Sequence, residues 1–298
     1  MKSKIIKLEF LTPLHYGNSG KPGLLDSGIT VCSDTIYSAI CDQQPAIIDQ
    51  LKSWVSEHKL RISDALPYVK ERLLIPRLSG FQPMNSTSFE PGMHKKIKRM
   101  TFIPLDNCRA LYQDATMARI DEAWMLEKAI GSFGIRTQAS IPRHMEEDTT
   151  PYQIAEFTFN PGSGLYLWVK YDEETTFEQF KAWIINLGLQ GLGGKRSSGL
   201  GKFKIQAIVD EPEESTNGQY LLLSTALPLN LKDDIYFNVI KRSGFYHSED
   251  GLFKKRNVYA IKSGLLVNEP FEGVILDNLS KNHVIYRFLV PLFVRIDL

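Results

Sequence analysis

The sequence predicts an α+β fold: a ferredoxin-like domain of βαββαβ order carrying a large insertion, followed by a smaller sheet-rich domain. Three observations predict it. Apolar residues alternate in short runs at the start, middle and end of the first 210 residues. Two helical stripes separate those runs, and the composition breaks at DEPEESTNG, Asp210 to Gly218. With 298 residues, 43% of them hydrophobic and 11% aromatic, the chain holds enough apolar material for two cores.

Ile5 to Leu11 reads as a strand and ends in LTPLHYGNSGKPG, where Pro and Gly mark a long loop. Ser33 is the expected N-cap of SDTIYSAICD, whose Ile36 and Ile40 share one face until Pro45, and Ile47, Leu51, Trp54 and Val55 continue the helical spacing. From about 78 to 150 the periodicity weakens, which predicts an insertion. Within it the basic run HKKIKRM (His94 to Met100) leads into TFIPLD, and RIDEAWMLEKAI (Arg119 to Ile130) alone reads as a helix. IAEFTF, the turn NPGSG and LYLWVKY predict a hairpin. TTFEQFKAWIINLGL places Thr175 and Glu178 as a capping box and lines Phe177, Phe180, Ile184 and Leu187 along one stripe. A glycine-rich loop, 191–201, and the strand KFKIQAIV complete the domain at 210. Residues 211–298 supply the short strands YLLLSTALPL, IYFNVIKRSGF, KKRNVYAIKSG and VIYRFLVPLFVRID, read as a smaller, sheet-rich, degenerate ferredoxin-like domain.

Thirty-five basic against 34 acidic residues give a formal charge of +1, so any anion site must come from local clustering. The N-terminal MKSKIIKLEFL interrupts its apolar residues with Lys4, Lys7 and Glu9, and no other stretch is long enough to span a bilayer, so a soluble cytoplasmic protein without membrane contact is expected. Cys32, Cys41 and Cys108 are odd in number and lack CxxC or Cys/His spacing, which points to reduced thiols and not to a disulfide framework or zinc site. His58, His94, His144, His247 and His283 show no ligand spacing, and the acidic groups 146–148 and 172–174 fall at turns and helix starts. No metal and no cofactor is expected.

GLGGKRSSGLGKF, Gly191 to Phe203, packs five glycines, three cations and two serines into thirteen residues. It is not a phosphate loop of the GxxxxGK[ST] kind: Arg196 follows Lys195, Leu189 stands five before Gly194, and the loop follows a helix. GxGxxG fails as well. Glycines nevertheless let amides turn outward, the serines offer hydroxyls, and Lys195, Arg196 and Lys202 supply charge, the chemistry of an anion site. The alternative is a left-handed helix cap with a flexible connection.

The same thirteen residues resemble the glycine-rich signature of the RAMP superfamily, the RNA-binding proteins of CRISPR systems, whose ferredoxin-like domains are related to the RNA-recognition (RRM) fold. LTPLHYGNSG followed by SDTIYSAI resembles that family's first loop and helix. TALP (Thr225 to Pro228), KRSGF (Lys241 to Phe245), KSG (Lys262 to Gly264) and the final VPLFV resemble the fourth-subunit family of the type III-A interference (Csm) complex, so the likeness spans nearly the whole chain.

The resemblance implies a subunit without catalysis of its own. It would cap the single-stranded 5′ handle of the CRISPR RNA and bridge the large polymerase-like subunit to the backbone RAMP subunit in antiviral interference. It also implies a β-hairpin thumb between handle and guide, for which HKKIKRM is the candidate. Gly193, Gly194, Lys195, Arg196, Ser197, Ser198 and Gly199 are expected on RNA phosphates, each neutralised phosphate adding about 0.7 to the logarithmic salt slope. Lys95, Lys98 and Arg99 are thumb contacts or, alternatively, guards of a strand edge. Lys241 and Arg242 set charge beside Phe245, a ring for base stacking or a core residue. Arg136 and Arg143 lie in an irregular stretch and are carried as RNA contacts, while Lys254 to Arg256 reads as a solvated turn on the same basic face. His15, with Gly17 beside it, is expected on the glycine loop or a phosphate. Sister RAMP proteins cut RNA without metal through a histidine, so a metal-independent endoribonuclease processing CRISPR precursor RNA is the alternative, and a nonspecific basic RNA-binding protein a third reading.

Overall fold

A computed structural model of the chain describes residues 1–17, 23–140, 149–212, 217–230, 236–248, 251–277 and 285–298. Strand β1 (Lys2–Phe10) leads through the first loop to helices α1 (Ser33–Gln43) and α2 (Ile48–Ser56), then to strands β2 (Leu60–Ile62), β3 (Leu66–Val69) and β4 (Arg72–Pro76). Helix α3 (Met93–Arg99), strand β5 (Phe102–Pro104) and helices α4 (Cys108–Gln113) and α5 (Met117–Lys128) come next. The long strands β6 (Gly131–Ser140), β7 (Thr150–Phe159) and β8 (Ser163–Tyr171), helix α6 (Glu174–Gln190) and strand β9 (Phe203–Asp210) complete the first 210 residues.

β5, β4, β3, β8, β1 and β9 lie side by side in that order, every neighbour antiparallel, and β2 also pairs with β8. Alternation along the strands divides this sheet into two apolar faces. Ile6, Leu8, Leu165, Leu167 and Val169 pack on Ile36, Ile40, Leu51, Phe180, Ile184 and Leu187 of α1, α2 and α6. Ile5, Leu66, Tyr68, Tyr166 and Trp168 turn the opposite way and are covered by α3, α4 and α5 through Met93, Ile97, Leu111, Ile120 and Ala123. β8 is therefore buried almost without a break, which suits a strand covered on both sides. At about 1.5–3 kcal/mol for each fully buried large apolar side chain, the two layers together dominate folding.

The C-terminal part contains β10 (Gln219–Leu222), β11 (Val239–Arg242), β12 (Phe245–Ser248), β13 (Gly251–Lys254), β14 (Val258–Ile261), β15 (Leu266–Val267), β16 (Val274–Leu276), β17 (Arg287–Leu289) and β18 (Phe293–Ile296). β10 pairs with β15 and β18, β11 with β14, β12 with β13, and β16 with β17. These strands share the cores of the first 210 residues: Phe288 and Val290 join the helical layer, and Leu221, Leu223, Leu292, Val294 and Ile296 join the opposite one.

Several sequence expectations change. IAEFTF and LYLWVKY are both strands but not a hairpin: β7 pairs with β6 over ten residues, while β8 enters the large sheet. Opposite β1, the strand beside β8 is β3, with β2 also pairing there, both from a stretch whose short runs, broken by Asp64 and Pro67, carry too few alternations to be read. HKKIKRM is helix α3, not a hairpin, because Met93 and Ile97 fall four apart on one buried face and Met100 follows a turn later. Ser33 is the first residue of α1 and not its cap; its amide donates to Asp64 Oδ1 at 2.8 Å, so the helix is capped from 31 residues away. The capping box is replaced too, since α6 starts after Glu173, and Thr176 Oγ1 donates to Asp172 at 2.7 Å. Among the described residues no helix is long and apolar enough to cross a membrane.

Candidate nucleic-acid interface

The glycine loop is buckled onto the first loop. Leu11 N donates to Lys202 O at 2.8 Å, Gly201 N to Pro13 O at 2.9 Å, and Gly194 N to His15 O at 2.8 Å, while Leu192 N closes the loop on Gly201 O at 2.9 Å. Three glycines are required by this packing, each combining a positive φ with a close approach. A Cβ on Gly201 (φ 75°) would stand 1.9 Å from Leu192 O, on Gly191 (φ 94°) 2.6 Å from Leu200 O, and on Gly193 (φ 94°) 2.6 Å from His15 O. Gly191 and Gly201 thus serve closure of the loop on itself and Gly193 its seating on His15, and the Gly194 amide, filled by His15 O, is closed to a phosphate.

What the buckle leaves outward is its tip. Lys195 adopts φ 56°, Arg196–Ser198 form one 3-10 turn, and Ser197 and Ser198 are exposed. The amides of Lys195, Arg196 and Ser197 meet no backbone carbonyl among the described residues. Arg196 Nη2 sits 2.9 Å from Asp42 of α1, an exposed pair worth about 0–1 kcal/mol and readily exchanged for a phosphate. Gly199 (φ 83°) has open space where a side chain would go.

Hairpin β6–β7 stands beside the tip. Leu14 and Phe157 pair as an isolated bridge, Lys195 Nζ lies 4.8 Å from the centroid of the Tyr152 ring, and Tyr152 Oη donates to Gln138 at 2.9 Å. Phe133 and Ile135 on β6 are 59% and 66% exposed; the Phe133 ring packs edge-on against Phe157 at 4.8 Å between centroids, and the rest of both side chains is open to solvent. Arg136, expected on RNA, instead holds Glu156 on the paired strand at 3.0 Å. Arg143 and His144 lie outside the described residues.

His15 lies at the centre of this junction. Only 7% of it is exposed, and its Nδ1 is 2.7 Å from Ala155 O; a carbonyl only accepts, so Nδ1 carries the proton and donates. It ties the glycine loop, through its own carbonyl, to the hairpin, through its ring. Gly17, just after it, is exposed, with Asp26 alongside.

The remaining candidates disperse. Lys95, Lys98 and Arg99 are exposed on α3, on the covered side of the sheet, and Lys96 of the same helix pairs with Asp121. They are helix-surface cations, so neither the thumb nor the strand-edge expectation holds for them. Arg242 is buried: its guanidinium grips Asp34 (Nη2–Oδ1 2.9 Å) and Thr35 Oγ1, leaving nothing for a solvent-borne phosphate. Lys241 is half-buried on β11, and Phe245, 62% exposed, is no core residue.

Two buried carboxylates escaped sequence reading. Asp34 takes both Arg242 and Arg287, the latter at 2.9 Å, and joins α1 to β11 and β17. Asp64 accepts the Ser33 amide and, at 2.7 and 3.0 Å, the amide and hydroxyl of Thr225, with burial pushing its carboxyl up and these donors opposing that. The TALP motif is therefore an anchor for the N-terminal half. Burial raises the thiols of Cys32, Cys41 and Cys108 to about 11, 12 and 12, so all three are protonated at neutral pH.

Residues 215–296 match the family described as CRISPR Csm4 C-terminal domain. The chain is 30% identical to the CRISPR system Cms protein Csm4 of Mycobacterium tuberculosis (strain CDC 1551 / Oshkosh), over 98% of this chain and 97% of that one. It is 24% identical to the protein of the same name from Streptococcus thermophilus, over 95% of each. Its fold is similar to a chain in a crystal structure of the Csm3-Csm4 subcomplex of the type III-A CRISPR-Cas interference complex, with a TM-score of 0.64 and 19% identity over 100% of both chains. A chain in a crystal structure of the Csm1-Csm4 cassette in complex with cA4 superimposes with a TM-score of 0.61 at 15% identity, covering 100% of this chain and 99% of that one.

Proposed function

The chain belongs to the Csm4 family of CRISPR proteins, and on that premise we propose that it is a non-catalytic RNA-binding subunit of a type III-A effector, capping the 5′ handle of the CRISPR RNA. One observation carries this reading: the glycine loop is buckled onto residues 11–15, and its tip, with Ser197 and Ser198 exposed and Lys195 and Arg196 half-buried, stands beside a hairpin with exposed Phe133 and Ile135. Cations and hydroxyls suit phosphates, and an apolar hairpin edge suits unstacked bases, the two means by which single-stranded RNA is read.

The order β9, β1, β8, β3, all antiparallel, with α1 and α6 following β1 and β8, supports a ferredoxin-like reading of the first part of the chain. Because both faces of that sheet are covered, the RNA lies along loops and the hairpin instead of on an open sheet. β6–β7 takes the role of thumb that HKKIKRM cannot. The similar structures contain Csm3 in one case and Csm1 in another, so this chain docks a backbone subunit and a large subunit of the same kinds. His15 acts as a strut, consistent with its burial and its engaged Nδ1.

The test incubates the full chain, in EDTA, with labelled RNA spanning a repeat and its downstream guide, on native and denaturing gels. A shift with intact RNA, weakened by Lys195→Ala with Arg196→Ala, is the expected result. A discrete cut at the repeat boundary overturns it in favour of the nuclease.

A further inference from the structure

One face of α1 presents Asp34, Ser38 and Asp42 at four-residue spacing, and each meets a cation from a distant part of the chain. Asp34 holds Arg242 and Arg287 at 2.9 Å each, Ser38 Oγ lies 3.4 Å from Lys255 Nζ, and Asp42 holds Arg196 at 2.9 Å. The row spans about 12 Å along the helix axis, rising from the buried Asp34 through the half-buried Ser38 to the exposed Asp42. It links the glycine loop at one end to the basic run Lys254–Arg256 in the middle.

The charges do not balance. Arg196, Arg242, Lys255 and Arg287 face two carboxylates among the described residues, an excess of two positive charges. A fastening between the C-terminal strands and α1 accounts for Arg242, whose donors go to Asp34 and Thr35. It does not account for Lys255, whose ammonium meets a hydroxyl and pairs with no carboxylate among the described residues. Nor does it account for Arg287: its side chain is 3% exposed, Nη1 and Nη2 reach Asp34 and Ser243 O, and Nε has no hydrogen-bond partner among the described residues. Burial, and then the Arg287 charge, draw the Lys255 ammonium below its ordinary range. A buried donor without an acceptor and an ammonium facing a like charge are the conditions that an oxyanion relieves.

We propose that Lys255 and Ser38 form an oxyanion site that takes a backbone phosphate of the bound RNA, one turn along α1 from the phosphate held at Arg196, with the buried Arg287 guanidinium adding its charge from the interior. The inference rests on the RNA-binding reading and extends it across α1, with the exposed Lys254 and Arg256 flanking the strand. Phosphate at Lys255 supplies the counter-charge that the row lacks.

The test has two arms on the full chain. In the first, thermal melts compare sodium phosphate with sodium chloride at equal ionic strength. Phosphate should raise the midpoint of the wild type, of Lys255→Arg and of the Lys195→Ala/Arg196→Ala variant, but not that of Lys255→Ala. In the second, the salt dependence of single-stranded repeat RNA binding should lose about 0.7 of its logarithmic slope in Lys255→Ala and recover it in Lys255→Arg. If Lys255→Ala and the wild type respond alike to phosphate and share one slope while the loop variant weakens binding, the site is refuted and the RNA reading stands. If the loop variant leaves RNA binding unchanged while Lys255→Ala still abolishes the phosphate response, the anion site stands and the RNA reading falls. Should Lys255→Ala not fold, Ser38→Ala and Lys255→Gln carry the same comparison.

Discussion

Asp34→Asn probes the electrostatic joint between the two halves of the chain. The substitution preserves volume and leaves one carbonyl oxygen, but it removes the only carboxylate among the described residues that Arg242 and Arg287 share, and their side chains are 8% and 3% exposed. Removing one partner of a buried pair costs about 3–5 kcal/mol, because the cation left behind is neither solvated nor neutralised. At about 2.1 cal/mol/K per residue over 298 residues, the unfolding entropy is about 0.63 kcal/mol/K, so Tm should fall by about 5–8 °C. Asp42→Asn, which breaks the exposed pair with Arg196, should cost under about 1 kcal/mol and less than 2 °C. Scanning calorimetry of the three proteins in low salt decides the matter. Equal midpoints for Asp34→Asn and Asp42→Asn would refute the claim that the buried carboxylate joins α1 to β11 and β17.

Gly201→Ala should collapse the glycine buckle, since its Cβ would lie 1.9 Å from a backbone carbonyl, whereas Gly199→Ala, at a similar φ in open space, should lose only about 1 kcal/mol; comparable Tm values for the two would sink the packing account. His15→Ala should accelerate hydrogen exchange in β7 and weaken RNA binding without altering RNA integrity, and unchanged exchange would deny it the role of strut. The thiols, raised by burial to about 11–12 in the folded chain from an ordinary value of 9.0, stay protonated while the unfolded chain begins to ionise. Their contribution to stability is complete below about pH 9 and is lost as pH rises toward 12. Denaturant midpoints that do not fall between pH 8.5 and 11, or rapid labelling of any thiol at pH 8 before unfolding, would contradict it.

Elements whose identity rests on a long local pattern were legible. α5 and α6 follow their apolar stripes within two residues, and β1 and β9 follow their alternation. What failed was pairing. Nothing in IAEFTF states that its partner is Gly131–Ser140 and not the strand three residues on, because β7 and β8 satisfy the same alternation and the turn between them suits either arrangement. HKKIKRM and the Met93 before it place Met93, Ile97 and Met100 at helical spacing, a pattern masked by the density of charge between them. The interface was half legible: the tip of the glycine loop stood out by composition, whereas Tyr152, Lys255 and Arg287 reach it through contacts more than 40 residues away, which no spacing rule encodes.

The two buried carboxylates also set a schedule for biosynthesis. Asp64 precedes Thr225 by 161 residues, and Asp34 precedes Arg242 by 208 and Arg287 by 253. At about 5–20 residues per second, Asp34 leaves the peptidyl-transfer centre about 13–50 s before its last partner exists. Through that interval the N-terminal half carries ionised groups that cannot be buried and an apolar sheet face whose cover from β10 and β18 is not yet made. Burial of Asp34 between both arginines, and of that sheet face, is complete only once β17 and β18 have been made.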